Sequence, residues 1–219
     1  MPTQHRAIQS RQALIRSAAE TFLERGVPAS GMVEISRRAR LSKGALYFHF
    51  TSKDDLTLAV RDAALATLQE VEDALTRSTR PLAIAVRDFA VELFRRVQTD
   101  AVLRAGLRLR PETAPGLGIY ALEQRWYALF LDKAMTCPAG DPIGPGASVG
   151  PTGPQASDTE PRRTAQLLTS IVVGLLHLGG EDGTWWEEES VAGLWGLLSG
   201  TPRDAVPAGF PTPVHLPAG

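Results

Sequence analysis

A chain of 219 residues with 23 Lys and Arg against 24 Asp and Glu is long enough to bury a core and is nearly neutral overall. The lone Cys137 excludes an intrachain disulfide, no Cys/His cluster has zinc spacing, and no cofactor is implied. The longest apolar run, Ile171 to Leu178, contains Gly174 and His177 and is far short of the roughly 20 residues a spanning helix needs; no apolar region follows the polar start Met1 to Arg6, so a soluble cytoplasmic protein is expected.

The charge is uneven along the chain. Residues 1–55 carry nine Lys and Arg against five Asp and Glu, whereas the remainder carries fourteen against nineteen. Such asymmetry points to an N-terminal module that meets a polyanion and a larger module with another task.

In chain order, Ser10 to Arg25 places Ile15, Ala18, Ala19, Phe22 and Leu23 on one face, with Ser10 as a candidate cap and Gly26 as a stop. Arg6 and Arg11 stand at the mouth of this helix, where cations oppose the helix dipole; an external phosphate or solvent would compensate them. Val27 to Gly31 then turns the chain. Met32 to Ala39 is a short amphipathic helix with Ile35 and Ala39 four apart, and Arg40-Leu41 links it to Ser42.

The stretch Ser42-Lys43-Gly44-Ala45-Leu46-Tyr47-Phe48-His49-Phe50 reads as a short helix capped by Ser42, with Leu46 and Phe50 as a narrow buried stripe. Its other residues are unusual for a solvated helix: Gly44 and Ala45 are small, and Lys43, Tyr47 and His49 are donors. Such a surface suits a DNA groove, because small side chains allow close approach and donors reach phosphates. A buried helical hairpin is the plainer alternative, and it leaves Lys43, His49 and Lys53 unexplained. Two short helices around a tight turn make a helix-turn-helix.

Together with Lys53 and Leu56, this segment resembles the recognition-helix signature of the TetR family of transcriptional repressors. The resemblance implies an all-α fold with an N-terminal three-helix DNA-binding module, residues 1–55, and a C-terminal ligand-binding and dimerisation module, residues 56–200. It also implies the roles of individual residues. Ser42 and the amides at the start of its helix would hold a phosphate, and Lys43 would reach a phosphate or a guanine edge. Gly44 and Ala45 would permit close approach, and Tyr47, His49 and Lys53 would fix the register on the backbone. Ser30 would cap the second helix and touch a phosphate. The family usually carries an aromatic after the glycine and a Thr-Thr pair before the second helix, where this chain has Val27 and Ser30-Gly31.

A long helix is expected from Leu56 to about Thr79, with Leu56, Val60, Ala64, Leu68, Val71 and Leu75 along its apolar edge. In the family this fourth helix is a lever between ligand site and DNA; by itself the pattern is also that of an ordinary linking helix. Pro81 opens a helix with Leu82, Val86, Phe89, Leu93 and Val97 at a 3.6-residue period, ending near Thr99-Asp100. Val102 to Leu109 is shorter and stops at Pro111, and Gly118 to Met135 carries Leu122, Trp126, Leu129 and Phe130. Residues 138–161 hold six Pro and five Gly and are read as a disordered loop. Arg162 to Leu178 is apolar over more than one face, so a second subunit is expected to cover part of it. The last helix is read from Trp185-Trp186 to Gly200, and residues 201–219 as a disordered tail.

Val102 to Leu109, Trp126 and Leu194-Trp195 further resemble the ligand-binding part of the γ-butyrolactone-receptor group of that family, found in actinomycete antibiotic regulation. There a tryptophan on the seventh helix lines the signalling-lactone pocket, and Trp126 matches its position. The resemblance implies that Trp126, Leu103, Leu107, Val172 and Leu175 enclose a small, mostly apolar ligand with a polar head. By its neighbours alone, Trp126 reads equally as core. Receptor homologues that answer to antibiotics or biosynthetic intermediates share these motifs. His177 reads as a satisfied core or interface group, and Cys137 as incidental.

The expected function is therefore a homodimeric repressor on a roughly palindromic DNA operator, released by a small-molecule effector, with no membrane partner. A dimer of this kind would need half-sites about 34 to 36 Å apart or a multiple of that. A small-molecule-binding protein with a vestigial helix-turn-helix is the competing class. No enzyme motif is present: neither G-x-S-x-G nor a phosphate-cradling glycine loop occurs.

Overall fold

The structure is a computed structural model that describes residues 2–109, 116–136, 159–181 and 183–198. Among these residues there are nine α-helices, one 3-10 turn and no strand, so the expected all-α class holds. Residues 138–158, with most of the expected loop, and residues 201–219 lie outside the described residues, as does Cys137.

Helix α1 spans Pro2–Ala29 and is broken at Gly26, whose φ of 76° and ψ of 159° no side chain would tolerate well. The expected start at Ser10 is corrected. Ser10 lies inside the helix and its hydroxyl donates to the Arg6 carbonyl at 2.8 Å, while His5 and Gln9 pair at 2.9 Å one turn apart. Pro2 is tolerated because a first-turn residue needs no amide donor. Helix α2 spans Met32–Arg38. It ends in a Schellman arrangement: the Leu41 amide donates to the Ser36 carbonyl at 2.9 Å and the Arg40 amide to the Arg37 carbonyl at 3.0 Å. Arg40 accordingly takes φ 56°, the left-handed region, and makes the turn between the two short helices.

Helix α3 spans Lys43–His49. The Ser42 hydroxyl oxygen accepts from the Ala45 amide at 3.1 Å, and Phe50 leaves the helix in extended conformation. Helix α4, Lys53–Arg77, begins three residues earlier than expected because Ser52 caps it. The Ser52 hydroxyl accepts from the Asp55 amide at 3.1 Å, and the Asp55 carboxylate accepts from the Thr51 amide at 3.0 Å.

Helix α5 is Leu82–Thr99 and α6 is Ala101–Leu107, the latter capped by Asp100, which accepts from the Val102 and Leu103 amides. Helix α7 is Ile119–Thr136 and α8 is Thr159–Glu181, so Thr159 to Pro161, expected in the loop, are helical. A 3-10 turn, Gly183–Trp186, takes the two tryptophans expected to open the last helix, and α9 is Glu188–Leu198.

The chain forms two compact units, residues 1–71 with 96–122, and residues 72–95 with 123–219. In the first, α1 packs on α2, α3 and α6 around Leu14, Ala18, Phe22, Ile35, Leu46, Phe50, Leu56 and Val60, all buried. Gly106 of α6 lies so close to α4 that a Cβ there would stand 2.3 Å from the Ala64 Cβ. In the second, Phe89 meets Trp126 and Phe130 edge-on, each at 5.6 Å between ring centres, in a core that also holds Leu168, Val172, Leu175 and Trp195. Two further indoles are anchored through their N–H groups. Trp186 donates to the Leu175 carbonyl at 3.1 Å and Trp195 to the Ala83 carbonyl at 2.8 Å. No helix among the described residues is long and apolar enough to cross a membrane.

Candidate functional site

The helix-turn-helix is held to α1 by charge as well as by packing. Arg38, at the end of α2, places its guanidinium on two carboxylates of α1, 2.8 Å from Glu20 and 2.5 Å from Glu24. Arg25 of α1 reaches Glu34 of α2 at 3.0 Å. The hydrogen bond from Arg38 holds the Glu24 carboxyl below its ordinary value of 4.5, and the two carboxylates raise the Arg38 guanidinium further above its own. Arg38 is thus committed within the chain. Arg37 and Arg40 are exposed beside it, with no ion-pair partner among the described residues.

On α3 the two faces separate as the sequence implies. Leu46 is fully buried and Phe50 nearly so, each worth about 1.5–3 kcal/mol of apolar burial. Lys43 and Gly44 are exposed, Ala45 is half-buried, and Tyr47 is 46 % exposed. The Lys43 ammonium lies 5.7 Å from the centre of the Tyr47 ring, so these two residues lean together along one edge of the helix. His49 is half-buried between the Phe48 ring, 5.0 Å away, and the Phe50 ring, 6.4 Å away. Arg11 stacks over Phe50 at 5.2 Å, so this cation from the mouth of the expected first helix reaches the end of α3.

Two expected DNA contacts sit differently. Ser30 does not cap α2, whose N-cap is Gly31 without a side-chain bond. Ser30 is 3 % exposed and its hydroxyl is turned inward, donating to the Gly26 carbonyl at 2.7 Å with the Thr21 carbonyl farther off at 3.4 Å. Lys53 donates to the Pro28 carbonyl at 3.0 Å, which uses one of its three ammonium hydrogens. The sequence reading missed Phe48, which is 79 % exposed. The signal was available, because a residue two places from the buried Leu46 points the other way on a helix.

The five expected effector residues divide between the units. Leu103, buried, and Leu107, half-buried, belong to α6 in the first; Trp126, Val172 and Leu175, all buried, belong to the second. Trp126 is fully buried and donates its indole N–H to Oε1 of Glu72 at 3.0 Å. Glu72 is 3 % exposed and pairs through Oε2 with the Arg125 guanidinium. Nothing in the local sequence announces this carboxylate, since Glu72 and Trp126 lie on different helices. His177 is exposed in the chain, so its reading as a core group is corrected. Among the described residues no group of His, Cys, Asp and Glu could hold a metal ion.

Comparison with known proteins agrees with this anatomy. The family "Bacterial regulatory proteins, tetR family" matches residues 14–60, from α1 to the first turns of α4. The A-factor receptor protein of Streptomyces griseus is 35% identical over 113 residues, 51% of this chain and 38% of that protein. The match thus spans well under half of that relative's length. The HTH-type transcriptional repressor BepR of Brucella suis biovar 1 (strain 1330) is 28% identical over 192 residues, 83% of this chain and 86% of that protein. Among solved structures, a gamma-butyrolactone receptor (ArpA-like protein) superposes with a TM-score of 0.58 at 26% identity, over 79% of this chain and 84% of that one. CprB from Streptomyces coelicolor, solved with its operator sequence, gives 0.56 at 26% identity over 80% and 86%. Residues 14–60 therefore carry the N-terminal domain of the tetR family of bacterial regulatory proteins, and the chain as a whole is similar in fold to gamma-butyrolactone receptors.

Proposed function

We propose that the protein is a homodimeric transcriptional repressor that binds a roughly palindromic DNA operator through α3 and leaves it when a small, mostly apolar ligand of γ-butyrolactone type binds. The observation that carries the reading is the outward face of α3: capped by Ser42, floored by Gly44 and Ala45, and edged by Lys43 and Tyr47. Ser42, Lys43, Gly44, Ala45, Tyr47, His49 and Lys53 are the proposed DNA contacts. Ser30 contributes through its place in the backbone, since its hydroxyl is turned inward. The half-exposed Leu167 and Leu178 leave an apolar side of α8 on which a second copy would pack.

The effector is proposed to act in the second unit, around Trp126, Val172 and Leu175. These side chains are buried, so a ligand among them must displace packing contacts, and that displacement is the source of its influence on the fold. A coupling of about 1–3 kcal/mol would weaken DNA binding roughly 5- to 150-fold. The buried Glu72 carboxylate beside Trp126 favours an effector whose polar head brings a hydroxyl donor.

The test is to select tight binders from random duplex DNA with the purified protein, then titrate a γ-butyrolactone into the complex. A selected palindrome and lactone-dependent release are the expected results. Selection without sequence enrichment would remove the repressor reading, and a palindrome indifferent to the lactone would remove the effector.

A further inference from the structure

We infer that Phe48 reads the C5-methyl group of a thymine in the major groove, so that one position of each operator half-site is specified by an apolar contact. The inference rests on the proposed DNA-binding function of α3 and adds a residue and a base to it.

A phenyl ring 79 % exposed on a short helix forgoes burial that the neighbouring Leu46 and Phe50 achieve. Its place on the helix explains why. Phe48 is two residues from Leu46, about 200° around the axis, and so stands opposite the core. The side chains one turn earlier on the same face are Gly44 and Ala45. A Cβ added at Gly44 would find nothing within 4 Å but the Ser42 hydroxyl, at 3.8 Å, so the ring is bare on that side.

The ring is also oriented. His49 meets it edge-on at 5.0 Å and an interplanar angle of 78°. The cations nearby serve other rings, Lys43 that of Tyr47 and Arg11 that of Phe50. Phe48 therefore presents an apolar surface in the middle of a donor-rich one.

That chemistry narrows the partner. Phenylalanine has neither donor nor acceptor, so it can neither grip a phosphate nor hydrogen-bond a base edge. The apolar feature exposed in the major groove is the thymine methyl. Small residues at Gly44 and Ala45 let the helix come close enough for the ring to reach it. Lys43 and Tyr47 on one edge and Lys53 beyond the helix end then position the backbone while Phe48 specifies a base.

The experiment uses the full chain and an operator selected from random duplex DNA, with each dT replaced in turn by dU, a change that removes the methyl group alone. At one position per half-site the replacement is expected to weaken wild-type binding about fourfold, the effect of losing one buried methyl-sized contact. Phe48→Ala is expected to bind the dT and dU operators equally, and Phe48→Leu to keep part of the discrimination. Equal ratios for wild type and Phe48→Ala at every position would overturn the inference, as would a wild type indifferent to every replacement. Should Phe48→Ala fail to fold, Phe48→Leu takes its place, and a dT-to-dU ratio equal to that of wild type at every position would overturn the inference. A change in oligomeric state without a change in methyl dependence would assign the ring to a protein contact instead. If no sequence is enriched at all, the DNA-binding reading falls first, and this one with it.

Discussion

Trp126 gives its one hydrogen-bond donor to a carboxylate that is itself 3 % exposed, Glu72, at 3.0 Å. Replacing the indole by phenyl keeps an aromatic core but leaves Glu72 with Arg125. A hydrogen bond to a buried charge is worth about 1.5–3 kcal/mol, and Trp126→Phe is expected to lower stability by that amount. Urea unfolding monitored by circular dichroism measures it. In a double-mutant cycle, Trp126→Phe combined with Glu72→Gln should cost less than the two changes separately; strict additivity would mean that the bond contributes nothing.

Glu24 is held below its ordinary carboxyl value of 4.5 mainly by its hydrogen bond from Arg38. A carboxylate depressed on folding adds stability above its unfolded value and loses it as pH falls through the folded one. The advantage of wild type over Glu24→Gln is therefore expected to be full at pH 7, and to fade progressively below 4.5. Thermal unfolding of both proteins across that range tests it; an offset independent of pH would show that Glu24 acts by something other than charge.

Arg40 holds φ 56°, a conformation glycine adopts freely and other residues adopt at a cost. Arg40→Gly should raise stability by about 1 kcal/mol, and Arg40→Val, with its branched Cβ, should lower it. The thermal midpoint is the readout. The opposite order would mean that the Arg40 side chain makes a contact stronger than the backbone strain.

Lys43 and Lys53 are both proposed at the DNA backbone, but Lys43 is also placed to reach a guanine edge, whereas the Lys53 ammonium also bonds the Pro28 carbonyl. Lys53→Ala is expected to reduce the salt slope of operator binding by about 0.9 per subunit, and to lower stability by about 0.5–1.5 kcal/mol. Lys43→Ala should leave stability alone and relax base preference. Salt slopes equal to wild type would strike either lysine from the phosphate contacts.

The close approach at Gly106 makes the fifth case. Gly106→Ala would set two methyl groups 2.3 Å apart, and an overpacked site of this kind costs about 1–3 kcal/mol. Ala64→Gly in the same chain should restore most of the loss. Failure of that rescue would place the strain elsewhere, with Leu117 the next neighbour at 3.3 Å.

The helix-turn-helix was legible because its signals are local: the Ser42 cap, the Leu46 and Phe50 stripe, and the link at Arg40-Leu41 all lie within one short stretch. The first helix was read too short because Ser10 is a good cap residue type, and nothing adjacent reveals that its hydroxyl returns to Arg6 inside a longer helix. Ser30 was misread as the cap of α2 for a similar reason, since the Gly26 carbonyl that its hydroxyl bonds lies four residues back, in the preceding helix. The Glu72 partnership of Trp126 joins residues on separate helices and could not be read at all. The periodic cores of α4 and α5 were clear, because burial follows the 3.6-residue repeat; the 3-10 turn before α9 was missed, because two tryptophans followed by acids look like the start of a helix.

The bond from Lys53 to Pro28 ties the chain just before α2 to the chain just after α3, so the intervening segment is a closed ring rather than an arm hinged at two loose ends. On the proposed DNA-binding reading, a segment closed in this way would have less ordering left to do when it meets a duplex. The latch is also a lysine at the proposed phosphate surface, so one ammonium would serve both the clasp and the polyanion, and loss of its charge would blunt the grip on DNA.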